Sequence, residues 1–262
     1  MMRRLIGDLW NVCWRELLHF IRQRTRILMS IVQPVIWLVL LGNMMSGIVK
    51  FPGASQVFGS QNYVTFMTPG IMVMTTLFGG IFTGGLSVVW DRRFGYLYRL
   101  LTSPISRSSI PLGKMVASSL QIGFQVVLII LIALIFGVRF STGLAGVVVM
   151  ILIVMLFGFG IAGISVGLGA VIKRMETMMA VVNFFTMPLM FTSNALFPTQ
   201  LMPKWLATIA KFNPVSYVVA PLRELTLGGW AWATILPDLG ILIIFGVVVA
   251  TAASFLFRRK FI

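Results

Sequence analysis

Long apolar runs dominate the chain, and short polar stretches separate them. Six runs hold no Asp, Glu, Lys or Arg, and each reaches the roughly 20 helical residues that cross a bilayer. They are residues 27–49, 63–89, 116–138, 143–172, 177–197 and 239–257. A membrane β-strand needs only about 10 residues, so runs of this length favour helices. The pattern predicts an all-α membrane protein, one transmembrane domain over 1–262 with six transmembrane helices.

The first 26 residues have a different periodicity. Apolar residues recur there every three or four positions, which indicates an amphipathic helix. The apolar positions are Ile6, Leu9, Cys13, Leu17 and Phe20, widened by Trp10, Trp14, Leu18 and Ile21. The polar positions are Arg4, Asp8, Asn11, Arg15, His19 and Arg22. Residues 1–26 are therefore predicted to form a basic interfacial helix.

The segment between the fifth and sixth runs is punctuated by prolines and glycines. Pro203 favours the start of a short helix, and Asn213-Pro214 ends it. A second short helix is expected before Gly228. Neither helix is long enough to cross a bilayer alone, so residues 198–233 are predicted to form a re-entrant pair on the extracellular side.

The composition supports a membrane protein, and the charges set its orientation. Hydrophobic residues make up 58% of the 262 residues and charged ones 10%, against about 25% charged in soluble domains. With both termini inside, segments 1–26, 90–115, 173–176 and 258–262 hold 16 of the 21 Lys and Arg. Cytoplasmic loops carry such an excess. We therefore expect both termini to be cytoplasmic. The net charge of +15 is attributed to basic residues that set the membrane orientation, in preference to nucleic-acid binding.

Several kinds of chemistry are missing from the sequence. The nearest match to a phosphate-binding loop is Gly113-Lys114, with Ser108 in place of the first glycine. This dipeptide is interpreted as the start of the third span. The sole histidine, His19, is interpreted as a solvated or phosphate-facing residue. We therefore expect no catalytic residue, metal or cofactor in this chain.

Mildly polar and small residues remain inside the runs. Residues that could line a path for an amphipathic solute are Asn43, Thr75, Thr76, Asn183 and Thr186. Two pairs, Gly80 with Gly84 and Gly163 with Gly167, have the G-x-x-x-G spacing that lets helices approach closely. Packing within the subunit is favoured over a dimer seam.

The loop at 90–115 is too charged to stay in hydrocarbon, where each Arg, Lys or Asp costs about 2.5–3.5 kcal/mol. Part of it is predicted to be a helix that Ser103-Pro104 ends. Phe94, Leu97 and Leu101 would share one face, and Arg92, Tyr96 and Arg99 would be available to a partner. From composition alone, a solvated topology loop is favoured over a docking site.

Two stretches of the chain carry a family resemblance. They read DRRFGYLYRLLTSPISRSSIPLGK at 91–114 and ALFPTQLMPKWLATIAKFNPVSYVVAPLRELTLGG at 195–229. Their order and spacing resemble the membrane subunit of ABC-2 type ABC transporters, the daunorubicin-exporter-like and Nod-factor-exporter-like permeases. The likeness extends over nearly the whole chain.

The resemblance implies an exporter of a drug, lipid or glycolipid-like molecule, as in multidrug resistance. It implies two copies of a cytoplasmic ATPase that bind ATP and Mg, a permease homodimer, and the plasma membrane of a prokaryote. With the resemblance in view, a docking site for the ATPase is favoured over a solvated topology loop at 90–115. An ATPase-independent secondary carrier or lipid scramblase is the alternative.

The resemblance further implies where the ATPase docks. On the loop, the expected docking residues are Asp91, Arg92, Arg93, Phe94, Gly95, Tyr96, Leu97, Arg99, Leu100, Leu101, Ser103, Pro104 and Arg107. A weaker set on the N-terminal helix is Arg15, Glu16, His19 and Arg22. The resemblance marks Pro198, Pro203, Asn213, Pro214 and Arg223 in the extracellular segment.

Overall fold

The computed structural model describes residues 2–49, 63–195 and 202–260. Within these ranges the regular structure is helical. The helices are α1 Met2–Arg22, α2 Arg24–Val49, α3 Tyr63–Arg93, α4 Tyr96–Thr102, α5 Ser109–Ile135, α6 Gly143–Val171, α7 Met175–Phe191, α8 Lys204–Phe212, α9 Ser216–Arg223 and α10 Trp232–Lys260. A π-helical turn, Glu224–Gly228, follows α9. The all-α prediction is confirmed for the described residues.

Four helices, α3, α5, α6 and α10, have the length and hydropathy of a membrane span. The other two predicted spans correspond to shorter apolar segments, Ile27–Leu40 within α2 and Met175–Phe191. The number of six spans therefore stays a prediction. The end of the fifth predicted run, residues 196–197, lies outside the described residues.

Several helices are longer than the charge-free runs that predicted them. The structure begins α5 at Ser109 instead of residue 116, and α10 at Trp232 instead of 239. The third helix continues through its charged end to Arg93. Charge-free runs mark the part of a helix that can lie in hydrocarbon, whereas the backbone hydrogen bonds of the helix can continue past a charged residue.

The N-terminal helix ends earlier than predicted. It stops at Arg22, and α2 begins at Arg24, so the prediction of one helix over 1–26 is wrong for its last residues. Gln23 bonds back to Phe20 through its N–H and forward to Ile27 through its carbonyl. One face of α1, with Val12, Cys13 and Phe20, is buried.

The centre of the bundle is α3, which packs on α2, α5, α6 and α7, whereas α10 lies at the periphery. In their apolar windows, 72% of α3 is buried but only 17% of α10. Close approach of α3 to α6 depends on glycine: a Cβ on Gly84 would lie 2.8 Å from the carbonyl oxygen of Ala162. One on Gly80 would meet Ile161 and Gly158. For these two glycines, packing within the subunit is confirmed.

The second glycine pair also packs within the chain. A Cβ on Gly163 would meet Met115 and Val249, on α5 and α10. On Gly167 it would make ordinary contacts with Leu256 and Ala253.

The bundle has two different ends. The α4 end holds α4, the last turn of α6 and the last turns of α10. The α8–α9 end holds α8, α9 and the π-helical turn. There, Ser141 and Thr142 at the start of α6 donate hydrogen bonds to carbonyls of the π-helical turn.

The short helices of the α8–α9 end begin and break close to the predicted positions. Pro203 is the residue before α8, and Asn213, extended before Pro214, ends it. The Asn213 amide donates to the Leu189 carbonyl (2.8 Å) and the Thr192 hydroxyl (2.9 Å), which ties this corner to α7. Arg223 donates to the Asn194 carbonyl. Pro198 lies outside the described residues.

Candidate functional site

The short helix α4 owes its boundaries to local sequence. Gly95 precedes it with φ 73, a left-handed conformation that glycine adopts without strain. At the other end Ser103 is extended, as the residue before a proline prefers, and Pro104 follows. The predicted stop at Ser103-Pro104 is therefore confirmed. These two breaks detach α4 from α3 and turn it across the end of the bundle.

The inner face of α4 is bound to four helices. Leu97 is fully buried in an apolar cluster whose buried members come from α3, α5, α6 and α10. Those members are Val88, Ile110, Met115, Val166, Ala170, Ala253 and Phe257. Leu100 and Leu101 pack against the same cluster. A displacement of α4 would therefore act on several long helices together.

The opposite side of the segment is exposed. Phe94 keeps 75% of its surface and Tyr98 60%, and Arg99 is also exposed. We call the exposed Tyr98 and Arg99, together with Phe94 just before the turn at Gly95, the outer face of α4. Phe94 was predicted to share a face with Leu97 and Leu101, and this is wrong because the turn at Gly95 comes between them.

Beneath α4 lies a buried network of charged side chains. The Lys114 ammonium donates to Glu16 Oε1 and to Asp91 Oδ2, each at 2.6 Å, and to the Ser87 hydroxyl at 3.1 Å. An ammonium has three donors, so all of its capacity is used. The Lys114 side chain has no exposed surface. This lysine joins α1, α3 and α5.

Arg15 extends the network to α4. Its guanidinium donates to Asp91 Oδ1 at 2.5 Å and lies 3.5 Å from Glu16 Oε1. It also stacks over the Tyr96 ring, 3.8 Å from the centroid. Burial lowers the pKa of Arg15, but the Glu16 and Asp91 carboxylates outweigh burial and hold that pKa above its ordinary value. Two cations and two anions balance, which makes their burial tolerable.

Arg92 binds a helix end instead of facing outward. It donates to the carbonyls of Ala170 (2.7 Å) and Ile172 (3.1 Å), where α6 ends. These carbonyls have no partner within the helix, and a cation there also complements the helix dipole. The expectation that Arg92 is available to a partner is therefore wrong for these donors.

Replacing Arg92 with Met keeps the aliphatic stem but removes both hydrogen bonds to the end of α6. We expect the free energy of unfolding to fall by about 1–3 kcal/mol, the usual cost of unpaired buried acceptors. Denaturation by SDS in mixed micelles measures it. Arg93→Met removes the exposed neighbouring cation and should change little; equal effects of the two substitutions would contradict the capping role.

The predicted docking residues fall into groups in the structure. Asp91, Arg15 and Glu16 meet in the buried network, and Leu97 is enclosed by the apolar cluster. The exposed members are Arg93, Phe94, Arg99, Pro104, Arg107, His19 and Arg22. His19 shares a hydrogen bond with Gln23 (2.8 Å). Docking itself stays a prediction, and the surface available for it is narrower than the sequence suggested.

Lys114 is the residue that sequence reasoning missed. Its dipeptide with Gly113 was interpreted as the start of a span, whereas the helix begins at Ser109 and Lys114 lies inside it. The position of the helix start would have revealed its role. A helix that begins at Ser109 has Lys114 in its second turn, and a lysine buried there requires carboxylates nearby.

The predicted path-lining residues do not share one environment. The Thr76 and Thr186 hydroxyls are buried and bond to carbonyls four residues earlier. Thr75 is half-buried and Asn183 is exposed. The Asn43 side chain lies outside the described residues. In the part of the chain that the structure describes, no group of three His, Cys, Asp or Glu side chains could hold a metal ion.

Comparison with known proteins decides the family. The family ABC2_membrane, described as ABC-2 type transporter, matches residues 8–227. The chain belongs to this family. As an ABC-2 permease it is a membrane transport subunit and not itself an ATPase, and permeases of this family generally work with an ABC ATPase partner.

Individual relatives agree with the family. A protein named as the transport permease ycf38 of Cyanophora paradoxa is 30% identical over 236 residues, which are 89% of this permease and 79% of the relative. The daunorubicin resistance ABC transporter permease DrrB1 of Streptomyces coeruleorubidus is 26% identical over 83% of this permease and 75% of its own length. A protein named for doxorubicin resistance, DrrC of Mycobacterium tuberculosis, is 24% identical over 87% and 79%.

Proposed function

We propose that this permease exports a hydrophobic or amphipathic molecule, such as a drug, a lipid or a glycolipid. A separate ATPase docks on the outer face of α4 and supplies the energy. The names of two relatives, which refer to daunorubicin and doxorubicin resistance, support a substrate of this kind.

The observation that supports this proposal is that α4 has an exposed outer face and a buried inner face. Its outer face offers two aromatic rings and a guanidinium to a partner, the residue types that dominate protein interfaces. Its inner face is held by the apolar cluster, and Arg15 over Tyr96 connects it to the buried ion network. A rigid-body push on α4 would therefore reach α1, α3, α5, α6 and α10.

The proposal includes an orientation and an assembly. The α4 end faces the cytoplasm of a prokaryotic cell, since it carries basic residues at 92–107, 173–174 and 258–260. Both termini are then cytoplasmic, the helices cross the plasma membrane six times, and α8 and α9 form the extracellular re-entrant pair. Two ATPase subunits, which bind ATP and Mg, act on a homodimer of the permease.

Replacing Tyr98 and Arg99 together with Asp tests the docking surface. Two acidic groups in place of an aromatic ring and a cation should weaken ATPase binding at least about tenfold. Both side chains are exposed, so insertion and thermal stability should stay unchanged. Co-purification of the partner ATPase and the rate of ATP-driven transport are the measurements. Leu100 is left intact because it packs inward.

A matched control lies at the α8–α9 end. Lys204→Asp with Trp205→Asp also exchanges an exposed cation and an exposed aromatic side chain for acids. This variant should retain the ATPase. Equal co-purification of both double variants would overturn docking on α4. Transport by the reconstituted permease without any ATPase would instead establish the secondary carrier or scramblase.

A further inference from the structure

A groove at the α4 end has no role in the docking surface described above. It lies between the start of α5 and the last turns of α10 and has a volume of about 780 Å³. Its lining residues are Ser108, Leu112, Ala250, Thr251, Ser254, Phe255, Arg258 and Arg259. The groove therefore combines two guanidinium groups, three hydroxyls and an apolar wall, and it contains no carboxylate.

The cations of the groove are unused within the described residues. Arg258 and Arg259 are exposed and form no ion pair or side-chain hydrogen bond there. This contrasts with Arg15 and Arg92 at the same end, which are bound to carboxylates and carbonyls. Two adjacent guanidinium groups without acids are suited to bind a phosphate.

Two of the hydroxyls also lack a partner in the described part of the chain. Thr251 bonds to carbonyls of its own helix, as most helical Ser and Thr do here, but Ser254 does not. Ser108 precedes α5 without capping it through its side chain. Ser108 and Leu112 line the groove, so the N-terminal, positive end of the α5 dipole lies beside it, an arrangement that favours an anion.

An apolar strip leads from the groove along α10. Phe255 lines the groove, and Val248 and Ile244 follow towards the middle of the helix, with 63%, 57% and 64% of their surfaces exposed. Their spacing of seven and four residues keeps them on one side of the helix. A molecule with a phosphate and a hydrocarbon tail would bind its phosphate in the groove and lay its tail on this strip.

We propose that this groove binds the headgroup of an anionic phospholipid. Arg258 and Arg259 hold the phosphate, Ser108 and Ser254 donate hydrogen bonds to it, and the acyl chains follow α10. Basic pockets between helices at a membrane surface recognise lipid headgroups in this way. The choice of the cytoplasmic leaflet rests on the orientation proposed above, but the binding itself does not.

Lipid retention by the purified permease tests the site, with no ATPase present. The permease in neutral detergent is titrated with phosphatidylglycerol or with phosphatidylcholine of the same acyl chains, and bound lipid is counted by native mass spectrometry. Arg258→Gln with Arg259→Gln should weaken phosphatidylglycerol binding about tenfold or more. Lys173→Gln with Arg174→Gln removes two exposed charges from the same end and should leave it unchanged.

A third variant separates the groove from simple charge attraction. Ser254→Trp fills the groove and keeps both arginines, and it should also abolish selective retention of phosphatidylglycerol. The proposal is overturned if phosphatidylglycerol and phosphatidylcholine are retained equally, or if the arginine pair behaves like the control pair. It is also overturned if Ser254→Trp retains the lipid, or if the arginine pair releases a second permease copy while lipid binding persists. Because the titration contains no ATPase, its failure leaves docking on α4 untouched.

Discussion

Replacing Lys114 with Met is expected to lower the free energy of unfolding by about 3–5 kcal/mol. The ammonium lies between Glu16 and Asp91, and its side chain is fully enclosed. Without it, Arg15 alone faces two carboxylates, so the network has a net negative charge on two carboxylates that are largely buried. Breaking such a network costs more than the intact network contributes. SDS titration in mixed micelles measures the loss, together with the yield of folded protein after size exclusion.

Two further variants show that the cost comes from the unbalanced charge. Lys173→Met removes an exposed lysine at the same end and should change the stability little. Adding Asp91→Asn to Lys114→Met leaves Arg15 with Glu16, a neutral pair, and should restore part of the stability. If Lys114→Met is no worse than Lys173→Met, or if Asp91→Asn brings no recovery, the network is not balanced as the structure indicates.

Replacing Gly85 with Ala is expected to lower the free energy of unfolding by about 1–3 kcal/mol, the cost of overpacking a core. The added Cβ would collide with the Ser165 carbonyl oxygen and hydroxyl and with the Met178 methyl group. The Ser165 hydroxyl also accepts the Gly85 N–H (2.9 Å) and donates to the Ile81 carbonyl (2.7 Å). Backbone cannot move aside as a flexible side chain can, so α3 and α6 would separate and lose these hydrogen bonds.

The same substitution in open space gives the control. A Cβ on Gly240 in α10 would meet no heavy atom within 4 Å, and Ala has the higher helix propensity by about 1 kcal/mol. Gly240→Ala should therefore leave stability unchanged or raise it. The two Gly→Ala changes should differ in sign in the same SDS titration. A loss of similar size at both positions would rule out the close crossing of α3 and α6 as the cause.

The short helices show how far local sequence reasoning reaches. The ends of α4 and α8 follow from Gly95, Ser103-Pro104 and Asn213-Pro214, because glycine and proline restrict the backbone wherever they occur. The periodicity of α1 likewise predicted a helix with an apolar stripe. What the periodicity could not show is that Arg15, on its polar side, and Glu16, in line with the buried Cys13 and Phe20, face charged groups of other helices and not water.

The sequence by itself determined the class of protein, because hydrocarbon excludes charge and the charge-free runs therefore mark the apolar helices. It also indicated the family, through two segments whose order and spacing resemble those of ABC-2 permeases. Only the tertiary structure decided the partners of the charged residues. Glu16, Asp91 and Lys114 lie on three different helices, and Arg92 meets carbonyls about eighty residues away. A buried charge must be paired, and here the partners come from distant parts of the chain. A local sequence pattern shows that a charge is present but not which residue folding brings next to it.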